Sequence, residues 1–406
     1  MTITLRRHRA PELSPSTRPR LLSEAKVEDQ PALWSTGAWR EGTPHGSRRF
    51  EDIGGLGLEA GGGLPQVRVA YETWGTLNTA RDNAILVEHA LTGDSHVSGP
   101  TGVGHPTPGW WDGLVGPGLP LDSERWFVVA SNVLGGCQGT TGPSSQAPDG
   151  RPWGSRFPFV TVRDQVAAEA ALADRLGIAT WAAVLGGSMG GMRALEWAVT
   201  HPDRVQRCIV LAGSAYASAE QIAWCQPQLL AIRQDVNFFG GDYYDQPKGP
   251  DLGLGLARRI AHVTYRSEPE FDRRFGRAVQ PGEQPLGGGG RYAVESYLDH
   301  HADKLASRFD ANSYVVLTES MNSHDIGRGR GGVRAALGRV KADLVVVAVD
   351  SDRLYPPRLS HEIAQASASS RPVHVIASGH GHDGFLIETG QVGEIVRDAL
   401  ARNVGR

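Results

Sequence analysis

Three cysteines in 406 residues, Cys137, Cys208 and Cys225, are too few and too scattered for a disulfide framework, and no C-x-x-C pair offers a zinc site. That usage suits a reducing compartment and predicts a cytoplasmic protein. Excess charge is also missing: 41 basic against 44 acidic residues leave a net charge of −3, which speaks against a nucleic-acid partner. No stretch approaches the roughly 20 uninterrupted apolar residues that span a bilayer, so no membrane partner is expected. Nor is there the apolar core of a secretory signal. The opening MTITLRRHRAPELSPSTRPRLL holds five arginines, and its prolines break any long amphipathic helix, so residues 1–32 read as a flexible N-terminal extension.

What is present is alternation. Over residues 67–211, short apolar runs (VRVAYETWG, NAILVEHAL, WFVVASNVL, WAAVLGG, CIVLAG) alternate with helical patterns, including a helix over 162–176. Strands apolar on both faces predict a mostly parallel central sheet flanked by helices. The pattern resumes at 344 with LVVVAV, then VHVIAS and a last helix near 391–400. Residues 33–215 and 341–406 are therefore expected to form an α/β core. Residues 216–340, helical and irregular and rich in Arg, Gln and Tyr, are expected to form a helical lid insertion. The glycine run 287–290 follows no strand and reads as a loop rather than a phosphate cradle.

The most informative segment is WAAVLGGSMGGMRALEWAVTHPDRV. An apolar strand enters Gly186-Gly187-Ser188-Met189-Gly190 and an amphipathic helix leaves it, the context a G-x-S-x-G nucleophile elbow requires. The tight turn holds Ser188 above the sheet, and small residues on either side let strand and helix approach. Ser188 also sits at the positive end of a helix, which favours developing negative charge. This predicts an α/β-hydrolase fold.

In that fold an acid and then a histidine follow the serine, each on a loop after a later strand. After LVVVAV come Asp350 and Asp352; after VHVIAS come His380 and His382. Position alone does not choose within either pair. A tetrahedral oxyanion needs two backbone N–H donors. Met189, after the serine, supplies one, and Leu91, in the loop Leu91-Thr92-Gly93-Asp94, is the favoured second.

GGSMGGMRALEWA, HALTGDSH, SNVLGGCQGTTGP, ARRIAHVTYRSEPEFDRRFGR, RYAVESYLDH, FDANSYVVLTESMNSHDIGRGRGG, SDRLYPP and GHDGFLIETG together closely resemble the homoserine O-acetyltransferases, over nearly everything from 33 to 400. The resemblance implies Ser188 as nucleophile, Asp352 as triad acid and His382 as base. It implies a tunnel-end site with Arg258 on the homoserine carboxylate, Asp383 on the ammonium, and Tyr265 and Thr92 as further contacts; between the adjacent Arg258 and Arg259 it alone decides. Arg193 departs from the glutamine many relatives carry and is expected to buttress the nucleophile helix without touching the chemistry. The resemblance also implies a homodimer paired through the insertion and a place in methionine biosynthesis.

The function so implied is transfer of acetyl from the co-substrate acetyl-CoA to the hydroxyl of L-homoserine, by ping-pong kinetics through an acetyl-serine, with no metal and no tightly bound cofactor. Three rivals keep the fold: a succinyl-transferring relative acting on homoserine or serine, an esterase, and a non-catalytic binding protein, against which the full set of Ser188, Asp352 and His382 counts. No further cation near Ser188 plainly awaits a succinyl carboxylate. Arg328 and Arg330, in GRGRGG, are candidates for the phosphates of CoA.

Overall fold

A computed structural model describes residues 35–402; the predicted N-terminal extension 1–32 lies outside the described residues. The strands are β1 (Arg49–Gly57), β2 (Gly63–Trp74), β3 (Ala84–Glu88), a short parallel pair β4 (Val115–Gly116) and β5 (Leu121–Asp122), β6 (Phe127–Ser131), β7 (Ala183–Gly187), β8 (Arg207–Leu211), β9 (Asp343–Val349) and β10 (His374–Ile376). Eight of them form one sheet in the order β1-β2-β6-β3-β7-β8-β9-β10. Only β2 runs antiparallel to its neighbours β1 and β6; the remaining pairs are parallel.

Side chains alternate between the two faces, as strand pleating demands. Leu86, Val184, Val210 and Val346 enter one core with Ala194, Leu195 and Trp197 of α2 (Met189–Thr200) and with α1 (Val162–Leu176). Ile85, Leu185, Ile209 and Val345 enter the other, with Val392 and Val396 of the C-terminal helix Thr389–Ala401. Both faces of β3, β7 and β8 are buried, which is why these strands read as unbroken apolar runs. The first strand has no such run: RFEDIGGLG is polar, carries three glycines and is half-buried, and it is the sheet's antiparallel edge.

α1 starts with a capping box between Thr161 and Asp164 and stops at Gly177, whose φ of 71° is left-handed. Between β8 and β9 the chain forms α3 (Ala219–Arg233), α4 (Asp251–Tyr265), α5 (Glu268–Arg274), α6 (Ala293–Ala306), α7 (Ala311–Asn322) and α8 (Val333–Leu337). Leu229, Leu254, Leu305 and Tyr314 from these helices pack with Leu91, Met189 and Met192 in a third apolar cluster, which fixes the insertion onto the turn that carries Ser188. After β9 come α9 (Pro357–Ala366), α10 (Gly384–Ile387) and α11 (Thr389–Ala401). Among the described residues no helix is long and apolar enough to cross a membrane.

Candidate active site

Ser188 stands between β7 and α2 at φ 57°, ψ −122°, a conformation a non-glycine residue holds only when its surroundings enforce it, at a cost of about 1–3 kcal/mol. Two glycines make this possible. A Cβ at Gly186 would lie 2.6 Å from the Gly190 backbone, and one at Gly190 would lie 2.1 Å from the Glu88 carbonyl oxygen. Gly190→Ala should therefore lower stability by about 3 kcal/mol, the upper range for overpacking a filled site, read as a lower denaturation midpoint. A midpoint equal to that of the parent would contradict this packing.

The loops after β3, β7, β9 and β10 meet at one end of the sheet. Asp352, after β9, places Oδ2 2.6 Å from His382 Nδ1, and both side chains are buried. Its Oδ1 accepts the backbone N–H groups of Leu354 and Tyr355 at 2.9 and 2.8 Å, so the carboxylate cannot swing away. The neighbours are engaged elsewhere: Asp350 accepts the Ser378 N–H at 3.0 Å, and His380 lies 3.2 Å from Glu270. The geometry thus separates both pairs that sequence position left open.

With Nδ1 facing a carboxylate, the neutral His382 ring keeps its proton there and leaves Nε2 as a lone pair, buried and without a partner among the described residues. Burial alone would depress the imidazole pKa. The Asp352 carboxylate outweighs it, and the pKa lies above the ordinary value. Tyr355 stacks on the ring at 4.8 Å and Phe385 meets its edge.

Ser188 and His382 line a cleft of about 200 Å³ together with Leu91, Thr92, Arg258, Tyr265 and Asp383, so every predicted contact residue except the fully buried Met189 reaches it. The N–H of Met189, first residue of α2, is among the four a helix leaves without an internal acceptor. Arg258 lies over the Tyr265 ring at 5.4 Å, and its Nε and Nη1 are buried with no hydrogen-bond partner among the described residues. Arg259 is instead paired with Asp299 at 2.8 Å. Asp383 lies 3.2 Å from Arg266; burial raises its carboxyl pKa against the pull of Arg266, His382 and Arg258. Burial pushes the Tyr265 hydroxyl up to about 12, so it enters the site as a neutral donor.

A family model for the α/β hydrolase fold matches residues 83–381. The homoserine O-acetyltransferase of Thermobifida fusca (strain YX) is 63% identical over 374 residues, covering 92% of this chain and 98% of that protein. That of Mycobacterium bovis (strain BCG / Pasteur 1173P2) is 56% identical over 349 residues, 86% of this chain and 92% of that protein. The chain belongs to the homoserine O-acetyltransferase family. Among solved structures, a homoserine O-acetyltransferase from Bacillus anthracis superposes with a TM-score of 0.81 at 28% identity, covering 88% of this chain and 98% of that one. An acetylester hydrolase from Corynebacterium glutamicum gives 0.76 at 28%, covering 88% and 97%. Homoserine acetyltransferases and ester hydrolases therefore share this scaffold, and what the cleft offers an acceptor has to separate them.

Two features of this homoserine O-acetyltransferase fold correct the reading of the sequence. Arg308, just past the end of α6, brings a second guanidinium into the cleft, where its Nη2 donates to the Thr92 carbonyl at 2.8 Å. Nothing in its local sequence marks it, because only the crossing of α6 over the β3 loop puts it there. Arg328 and Arg330, candidates for CoA phosphates, are engaged by carboxylates: Arg328 with Glu59 at 2.8 Å, and Arg330 with the buried Glu196 at 2.5 Å. Neither lines the cleft.

One group among the described residues has the ligand types of a metal site: Glu72, His96 and His105, all buried. His105 Nε2 accepts the Ser47 N–H at 2.9 Å, and the two rings stack at 3.8 Å and 13°. Parallel stacked rings direct their in-plane lone pairs side by side rather than at one ion, so the cluster reads as a polar clasp between β2 and the loop of residues 95–105.

Proposed function

We propose that the chain transfers the acetyl group of acetyl-CoA to the side-chain hydroxyl of L-homoserine in two half-reactions through an acetyl-Ser188. His382 Nε2 takes the Ser188 proton as Oγ adds to the thioester carbonyl, and the N–H groups of Leu91 and Met189 receive the oxyanion. Collapse expels CoA, which leaves with the proton from His382. Homoserine enters, His382 deprotonates its hydroxyl, and attack on the acetyl-serine returns free Ser188 and O-acetylhomoserine. These steps balance with no metal or resident cofactor; acetyl-CoA is a co-substrate.

The observation that carries the reading is Arg258. Two buried guanidinium nitrogens without partners, in the cleft that holds Ser188, are costly unless an anion completes them, and an amino-acid carboxylate does so while Asp383 meets the ammonium. An esterase whose acceptor is water has no use for that anchor. Positioning of this kind reaches effective molarities of about 10⁵ M, enough for homoserine to compete with solvent.

A second, smaller cavity of about 40 Å³ on Ser188 is lined by Met192, Trp224, Cys225, Met321 and Tyr355 among others, with no Lys, Arg or His. It suits the methyl of an acetyl group and offers no counter-ion to a succinyl carboxylate. Both cleft arginines line the larger cleft and neither lines this cavity. Ile222 and Leu230 of α3 and Leu252 and Leu256 of α4 are exposed, and the second copy of a homodimer would cover them. A biosynthetic enzyme fed by acetyl-CoA would work in the cytoplasm.

Incubation with acetyl-CoA alone, followed by mass spectrometry, tests the intermediate: one acetyl on the Ser188 peptide, discharged by homoserine, is expected. No acetylation in an active preparation would rule out the two-step route. Arg258→Ala should raise the homoserine KM by roughly 10- to 100-fold, the worth of a charge-assisted pair, and leave that for acetyl-CoA within about threefold. Arg259→Ala, which loses only a half-exposed ion pair, should change neither beyond about threefold. Steady-state kinetics with each substrate varied check both.

A further inference from the structure

His89 follows β3 and is fully buried two residues before Leu91. Its ring touches two backbone groups whose roles are fixed by chemistry. Nε2 lies 3.0 Å from the Val133 backbone N–H, which can only donate, and Nδ1 lies 2.8 Å from the Ala90 carbonyl oxygen, which can only accept. A neutral imidazole satisfies both with its proton on Nδ1 and in no other way. Burial and the neighbouring Arg193 push the pKa down to about 3, so the ring stays neutral.

The Ala90 carbonyl belongs to the same peptide unit as the Leu91 N–H. That unit is trans and planar, so its C=O and N–H point in opposite directions. Holding the oxygen on the His89 side turns the hydrogen to the other, and Leu91 lines the cleft beside Ser188. The Gly93 N–H also donates to the Ala90 oxygen at 2.9 Å, closing a tight turn against the His89 side chain. From behind, Arg193 grips the His89 carbonyl with Nη2 at 2.8 Å, while its Nη1 sits 2.6 Å from Glu169, which accepts the Trp197 indole N–H at 2.8 Å. Arg193 lies on α2, so the helix that follows the nucleophile and the loop facing it are tied through one guanidinium.

We propose that His89, locked in its Nδ1–H tautomer, is a positioning residue that aims the Leu91 N–H into the oxyanion hole, and that Arg193 holds His89 in place. The proposal rests on Leu91 being an oxyanion donor. His89 touches neither substrate; it acts through a peptide plane.

The test compares His89→Asn with His89→Leu, and with His89→Gln. Asparagine sets an amide N–H near the position of Nδ1–H, glutamine reaches the position of Nε2, and leucine does neither. Both homoserine-dependent CoA release and hydrolysis of p-nitrophenyl acetate are followed against pH. His89→Leu should lower the plateau kcat by roughly 10- to 100-fold, less than the full 10²–10³ of a lost oxyanion donor because Gly93 keeps one hold on Ala90. KM for homoserine should stay within threefold, the acid limb set by His382 should not move, and His89→Asn should recover at least fivefold. A kcat within threefold of the parent in His89→Leu overturns the proposal, as does a rise in homoserine KM that matches the kcat loss. Should His89→Leu fail to fold, Asn against Gln decides: Gln equal to or better than Asn overturns it. The ester arm needs no homoserine, so a parent that hydrolyses the ester but transfers nothing to homoserine would sink the assigned function and leave the His89 comparison readable.

Discussion

Ser188→Ala is expected to lower homoserine-dependent CoA release by about 10⁶-fold, the scale of loss when a triad nucleophile is removed, and to leave the melting temperature unchanged. The reason is that Ser188 supplies the one protein atom that bonds to the acetyl carbon in the proposed route. The fold does not depend on its hydroxyl: Ser188 makes no side-chain cap hydrogen bond to α2, and its backbone N–H, bonded to the Leu211 carbonyl at 3.0 Å, is kept in alanine. Acetyl-CoA and homoserine should still bind, because Arg258, Asp383 and Tyr265 are untouched. Calorimetric titration of the variant with homoserine checks that, and CoA release checks the rate. Residual turnover above about 1% would mean that another group accepts the acetyl, and the acetyl-Ser188 route would be abandoned.

Asp352→Asn should lower kcat by about 10⁴-fold, as loss of the carboxylate beneath a catalytic imidazole does, through the wrong tautomer and an unsupported imidazolium. Its pH dependence is the sharper prediction. His382 works as a base only when neutral, so parent activity falls as pH drops through its pKa, which burial would lower but the 2.6 Å carboxylate holds above the ordinary value. Without that charge, burial acts alone and the pKa falls. The acid limb of kcat/KM should therefore move to lower pH in Asp352→Asn while the plateau drops. Asp350→Asn, whose carboxylate accepts the Ser378 N–H and does not face His382, should show neither effect. A limb that stays in place in Asp352→Asn would mean that some other group sets it.

The elbow was legible because it is local: strand, G-x-S-x-G and helix are contiguous, and the close approach that the turn at Ser188 needs is permitted by glycines two residues away. The central strands were legible for a similar reason, since burial on both faces writes an unbroken apolar run. β1 was not, because an edge strand with three glycines and one half-buried face has neither that run nor a clean alternation. Within Asp350/Asp352 and His380/His382 only the geometry of two loops, 30 residues apart in sequence, separates partner from neighbour. Arg308 and the His89–Arg193 clasp lay further out of reach. Their roles come from which backbone carbonyl each guanidinium or ring meets, and no spacing along one chain encodes that. The pairing of the GRGRGG arginines was hidden for the converse reason: a basic glycine loop looks open in sequence, yet Glu59 and Glu196 close on it in the fold.

The central claim is that the acyl donor is acetyl-CoA and the acceptor homoserine, held by Arg258 and Asp383. Release of free CoA by the purified protein tests it most directly, with acetyl-CoA or succinyl-CoA given in turn, and with L-homoserine, L-serine or no acceptor. Sustained release, beyond one CoA per active site, only from the pairing of acetyl-CoA with homoserine is the predicted result. Equal release without an acceptor would make the protein a thioesterase, and faster release from succinyl-CoA would contradict the assignment of the small uncharged cavity beside Ser188 to an acetyl methyl.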